Sequence, residues 1–295
     1  MKKAKSIISV VLALVMAAML AAPAFAAEAK SIKFLNDFID SKSIAVKLDD
    51  FAFSGTGIPL KNVEAKAKFE GEGKTKIAAK GDVGPLSNVK IIGSGNELNG
   101  YFAFFKINVK EIIGQNFNID DIANQFYPIL EKLDKEKVSL LTLKETKDVS
   151  LNNYGTVKAE ILTVSPDVIA EKITAEAIKQ GKQAEIEGKD IEALIALARE
   201  LNIEELNYYI ALYAVSQGEN GIASFYYSGD KLVGAKINLV DEETLQEQSF
   251  DTTESIGLKI ESISTGVSDS DFNAPSFALD ITGLVKFIIN LFFKN

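Results

Sequence analysis

The chain has no cysteine, no histidine and no tryptophan, and its three methionines stand at positions 1, 16 and 19. Arg199 is its one arginine. Each absence removes a class of chemistry. Without His or Cys there is no Ser-His-Asp triad, no Cys-His pair and no thiolate nucleophile. The usual zinc, copper and haem ligand sets go with them, and no cofactor or metal is expected. The acidic balance, 41 Asp and Glu against 32 Lys and Arg, disfavours a nucleic-acid partner, whose phosphates need basic patches. There is no Gly-rich phosphate loop and no nucleophile elbow. Carboxylate chemistry of the glycosidase kind remains open in principle. An enzyme is not expected, and a carboxylate-based hydrolase is kept only as a remote alternative.

The lack of cysteine has a second consequence. "MKKAKSIISVVLALVMAAMLAAPAFA" joins Lys2, Lys3 and Lys5 to an apolar run from Ile7 to Ala22 and ends on small residues at Ala24 and Ala26. This is the pattern of a secretory signal peptide, with cleavage expected near Ala26. All three methionines leave with it. Its three lysines leave the remainder three units more acidic than the full chain's −9. A secreted protein without disulfides must be held by a large apolar core, and residues 27–295 suffice for one large domain or two small ones.

Two acidic stretches could suggest a cation site. "SDSDFN" at 268–273 sets Asp269 and Asp271 two apart, but a calcium loop needs more ligands and a Gly at its sixth position, where Ala274 stands. A turn is the simpler reading. "DEE" at 241–243 likewise reads as a loop.

Periodicity divides the rest. Ile32, Leu35, Phe38 and Ile39 share a helical face over 29–40. Alternation then takes over. Ile44, Val46 and Leu48 are followed by a break at Asp49-Asp50. Val63, Ala65, Ala67 and Phe69 oppose Glu64, Lys66, Lys68 and Glu70, and Ile77 and Ala79 continue beyond a hairpin at Gly71 and Gly73. "NELNGYFAFFKINV" reads as one strand, apolar on both faces around Tyr101–Phe105 and so covered on both sides. A helix with a Pro128 kink is expected over 118–136. Two strands, a helix at 165–181 with Ser165 as N-cap and Pro166 in its first turn, and helices near 189–201 and 203–217 follow. Tyr208, Tyr209 and Tyr213 read as core edge. A hairpin turned at Ser228-Gly229-Asp230 and two further strands complete the body. The expected fold class is α+β, with about eight to ten antiparallel strands in a single domain and a helical insert at about 165–217.

Three stretches, "YGTVKAEILTVSPDVIAEKI", "YYSGDKLVGAKINL" and "SDSDFNAPSF", resemble the half-barrel lipoprotein carriers, the LolA-like and LppX-like proteins. The first resembles that family's strand running into a helix, the second its strand-turn-strand, the third its closing Asp-Phe-Pro stretch. The resemblance implies a curved antiparallel sheet, a half β-barrel, with helices packed on its concave face. It further implies a lipid-like ligand carried in the bacterial cell envelope. The large insert, the apolar C-terminal helix and the absence of a membrane-tethering Cys depart from that pattern.

That helix, over about 280–294, has one thin polar stripe at Lys286, Asn290 and Lys294. About fifteen residues reach roughly 22 Å, too short for a hydrocarbon core of about 30 Å. It is expected to plug the core, to lie in a membrane interface, or to mediate self-association. The functional expectation is a secreted, non-catalytic envelope protein binding or carrying a lipid-like ligand. The alternative is a structural or adhesive module with a filled core. Alternating strand positions nominate Phe102, Phe104, Val157, Ile161, Phe225, Tyr227, Ile237 and Leu239 as ligand-binding residues, all of which plain core packing would explain equally well.

Overall fold

The computed structural model describes residues 29–52, 57–71, 74–113, 119–120, 135–240, 244–253 and 259–293. The expected leader at 1–26, the expected Pro128 kink and the expected loop at 241–243 lie outside them.

Helix α1 (Lys30–Ser41) forms where the apolar spacing requires it, burying Ile32, Leu35 and Phe38. Seven strands follow: β1 (Ser43–Leu48), β2 (Phe51–Ala52), β3 (Pro59–Phe69), β4 (Thr75–Val83), β5 (Leu86–Ser94), β6 (Glu97–Phe102) and β7 (Phe105–Asn108). Short helices α2 (Val109–Ile113) and α3 (Lys135–Val138) lead to β8 (Leu141–Leu151) and β9 (Gly155–Val164). The helical insert holds α4 (Pro166–Lys179), α5 (Gln183–Ile186), α6 (Ile191–Glu200) and α7 (Glu204–Ser216). Then come β10 (Ala223–Ser228), β11 (Lys231–Val240), β12 (Glu247–Asp251), β13 (Ile260–Thr265), a 3-10 turn (Asp269–Phe272), β14 (Leu279–Asp280) and α8 (Thr282–Phe293).

The strands form one sheet in the order β14-β7-β6-β5-β4-β3-β1-β13-β11-β10-β9-β8, with β12 beside β11 and β2 beside β3. Every pairing is antiparallel except β14 with β7. The sheet is curved and does not close on itself. The α+β expectation holds, with more strands than expected. The excess comes from two-residue pieces such as β2 and β14 and from one misread run.

That run is "NELNGYFAFFKINV". It is a hairpin, with Phe102 paired to Phe105 across a turn at Ala103-Phe104. Ala103 takes φ 50°, a backbone region usually left to Gly or Asn. With neither residue present, the turn carries no sequence signal. The apolar character on both sides belongs to two short strands and an exposed tip.

One core cluster runs under most of the sheet. Ile44, Val46, Leu48, Ala65, Ala67, Phe69, Ile77 and Leu98 supply it from one half, and Leu162, Val164, Phe225, Ala235 and Ile237 from the other. Helices roof the same face with Leu35 and Phe38 of α1, Ile169 and Ile173 of α4, Leu194 and Ile195 of α6, and Leu206 and Ile210 of α7. Thr163 Oγ1 donates to Ser216 Oγ at 3.0 Å, tying the end of α7 to β9. Ser165 occupies the N-cap position of α4, but its side chain makes no capping bond.

Between the halves, β11 meets β13, among the described residues, through a single residue pair, Leu232 with Ile263. Side chains reinforce this seam. Glu261 of β13 is bound by Lys47 of β1 and Lys231 of β11, each at 2.7 Å. The Ile260 amide donates to the Tyr154 hydroxyl at 2.6 Å.

Along β3 the opposite face carries charge. Lys66 and Lys68 of β3 hold Asp271 and Asp269 at 2.8 and 2.5 Å, which docks the 3-10 turn against the strand. The two aspartates of "SDSDFN" are therefore bound to lysines, and Asp271 also completes a capping box with Ser268. Among the described residues of α8, Leu284, Phe287 and Ile288 are 58, 63 and 42% exposed. This half of the helix does not plug the core.

Candidate functional site

The nominated ligand-binding residues do not converge. Phe225, Tyr227 and Ile237 lie on the helix-covered face, within the main core. Val157 and Ile161 lie on the other face, where they pack with Ala159, Tyr226 and Val233 in a separate small cluster. Phe102 and Phe104 sit at the β6–β7 turn, with Phe104 55% exposed and its ring 4.2 Å from that of Phe105. Six inter-strand steps separate β6 from β11, roughly 30 Å at about 4.8 Å each. Leu239 belongs to β11, opposite Gln248, and its side chain lies outside the described residues.

Register explains the split. Phe225 pairs with Glu160 and Tyr227 with Lys158, so the core face of lower β9 carries its charged residues and the outer face its apolar ones. Alternation marks a dry face of each strand but not which side of the sheet that face meets.

Glu160 stands on the core face because the N-terminus of α1 arrives there. Its Oε2 accepts from the Ser31 amide at 2.8 Å and from the Ser31 hydroxyl at 2.7 Å, and its Oε1 from the Lys30 amide at 3.3 Å. A carboxylate satisfies the first free amides of a helix and complements its dipole. Lys30 also reaches Asp230 in the β10–β11 turn at 2.5 Å, and its Nζ lies 5.6 Å from the Tyr227 ring. The sequence offers no signal for this node, since Ser31 and Glu160 are distant in the chain.

Tyr227 is 5% exposed, and its hydroxyl has no hydrogen-bond partner among the described residues. Burial, with the Glu160 carboxylate nearby, pushes its ionisation far above the usual tyrosine range. The group is therefore a neutral O–H donor at the edge of the core, beside Glu160 and Lys30. Phe34 of α1 packs over Phe225, ring centroids 6.4 Å apart. The roof next to Tyr227 is thus held by side-chain packing and the Glu160 cap, with no backbone ladder between α1 and the sheet.

A separate cleft of about 330 Å³ is lined by Lys47, Leu48, Asp49, Asp50, Asn62 and Glu261. Its charges satisfy one another. Lys259 binds Asp49 at 2.8 Å, and the Asn62 amide donates to Asp50 at 3.2 Å. Hydrogen bonds from Lys231 and Lys47 lower Glu261 to a pKa of about 2. That is the reverse of the shift a general acid needs.

Comparison with protein-family models, with curated proteins and with solved structures finds no match.

Proposed function

We propose that the chain is an extracytoplasmic, non-catalytic protein that holds a lipid-like ligand beneath the helices, on the concave face of a half-barrel sheet. The observation that carries this reading is the Tyr227 hydroxyl, a buried donor without a partner among the described residues, on the face that helices cover. Such a group costs about 1–3 kcal/mol. A carbonyl or ester oxygen of a ligand seated beside it would remove that cost. Helices held by side-chain packing can lift from a sheet without breaking a ladder, and an acyl chain entering there exchanges one apolar contact for another. Phe225, Tyr227 and Ile237 are the residues this reading retains. The leader and the resemblance to half-barrel carriers support the compartment and the cargo class.

A second reading, a structural or adhesive module with a filled core, draws on the packing itself. Phe225 and Ile237 are 0 and 1% exposed.

Titration with a fluorescent fatty acid separates the two. The carrier reading expects saturable 1:1 binding, competed by unlabelled lipid and weakened in Tyr227→Phe. It also expects that binding to be unaffected by Phe287→Ser on the exposed tail. Absence of saturable binding supports the filled module.

A further inference from the structure

The exposed apolar side chains gather at one end of the sheet. Of the ten large ones among the described residues, six belong to the β7 edge or to the segment alongside it: Phe104, Phe277, Leu279, Leu284, Phe287 and Ile288. The backbone there is already paired. The Leu279 amide donates to Phe104 O at 2.8 Å, the Ile281 amide to Lys106 O at 2.9 Å, and the Asn108 amide to Thr282 Oγ1 at 2.7 Å. Lys286 forms an ion pair with Glu111 of α2, which fixes the start of α8 against the body. β7 is thus covered by β14, and β14, two residues long, offers a partner strand little backbone to pair with. What it presents is side chains.

The charges around the patch narrow the occupant further. The described residues of the closing segment, 281–293, contain Lys286 and no acid. Lys106 and Lys110 stand on the adjoining β7 and α2, against Asp280 and Glu111. The balance is locally positive in a chain of net charge −9. Two copies meeting through this patch would set lysines against lysines. An anionic lipid surface complements it, with headgroups against the lysines and acyl chains against the Phe, Leu and Ile side chains. The twelve residues of α8 reach roughly 18 Å against a hydrocarbon core of about 30 Å. Among the described residues no helix is long and apolar enough to cross a membrane.

We propose that this edge docks on an anionic lipid surface, with α8 lying flat in the interface and Phe104, Leu284 and Phe287 inserted. The proposal goes beyond the interior ligand reading and stands or falls without it.

The test is co-sedimentation of the purified chain with vesicles of phosphatidylcholine alone, or mixed with phosphatidylglycerol, at low and high salt. The comparison variant is Phe104→Ser, Leu284→Ser, Phe287→Ser. All three side chains are exposed, so its circular dichroism and urea midpoint should match the parent. The parent should bind anionic vesicles about 10-fold more tightly than neutral ones, a preference that salt removes. The variant should lose most of that binding. Equal retention of parent and variant, or of anionic and neutral vesicles, overturns the proposal. So does a parent that binds neither vesicle but forms a dimer, seen by analytical ultracentrifugation, that the variant abolishes. That last result would reassign the patch to self-association.

Discussion

The Glu160 carboxylate closes the N-terminus of α1 from 129 residues away, accepting both the amide and the hydroxyl of Ser31 at 2.8 and 2.7 Å. The helix has no side-chain cap of its own, since Ala29 stands at its N-cap position. A strand residue does what a Ser or Asp would do locally.

Glu160→Ala should therefore destabilise the fold by about 1.5–3 kcal/mol, the range for hydrogen bonds to a charged group. Glu160→Gln keeps an acceptor but loses the charge, and should lie between the parent and the alanine variant. Urea unfolding of the three proteins measures this order. An alanine variant as stable as the parent would show that α1 is held by packing alone.

At the β6–β7 turn the expected change has the opposite sign. Ala103 adopts φ 50°, and a left-handed conformation costs a residue with a Cβ about 1–2 kcal/mol. Ala103→Gly should raise the thermal midpoint by a few degrees, offset in part by the greater freedom of glycine in the unfolded chain. A lower midpoint would mean that the Ala103 methyl packs usefully.

Gly221 is the converse case. It has φ 61°, and a Cβ built there would lie 2.1 Å from the carbonyl oxygen of Leu162. The obstacle is backbone in the β9–β10 ladder and cannot swing aside. Gly221→Ala should cost more than about 3 kcal/mol, from strain and overlap together. A calorimetric scan showing an unchanged midpoint would contradict the close approach.

The seam between β11 and β13 should respond to acid. Glu261 is held at a pKa of about 2, below its ordinary 4.5, by Lys231 and Lys47. A carboxylate depressed in the folded state contributes stability that is present above its unfolded pKa and is lost as pH falls toward the folded value. Between pH 4.5 and 2 the parent should lose stability faster than Glu261→Gln, and added salt should narrow the gap because the groups face solvent. Parallel curves across that window would show that the ion pairs do not stabilise the seam.

The sequence revealed those parts of the fold that local chemistry determines. Ile32, Leu35 and Phe38 define α1, and Val63, Ala65, Ala67 and Phe69 define the dry side of β3, because helix and strand periods differ. Two kinds of information were hidden. The Ala103 turn uses a residue with no turn preference, so a hairpin read as a strand. The face assignment of β9 depends on register with β10, and nothing local in the chain marks Glu160 as the partner of the α1 N-terminus. The nominated site mixed two faces for that reason. Phe225, Tyr227 and Ile237 share the interior, while Val157 and Ile161 of the neighbouring β9 lie on the other side of the sheet.

The most direct test of the interior lipid reading is native mass spectrometry of the protein isolated from the cells that produce it, followed by denaturation and organic extraction. The account predicts a folded species heavier than the polypeptide by one lipid mass, released on denaturation, and found less often in Tyr227→Phe. A folded species at the bare polypeptide mass, unchanged after incubation with total lipid extract, would contradict it and leave a solid-cored structural module.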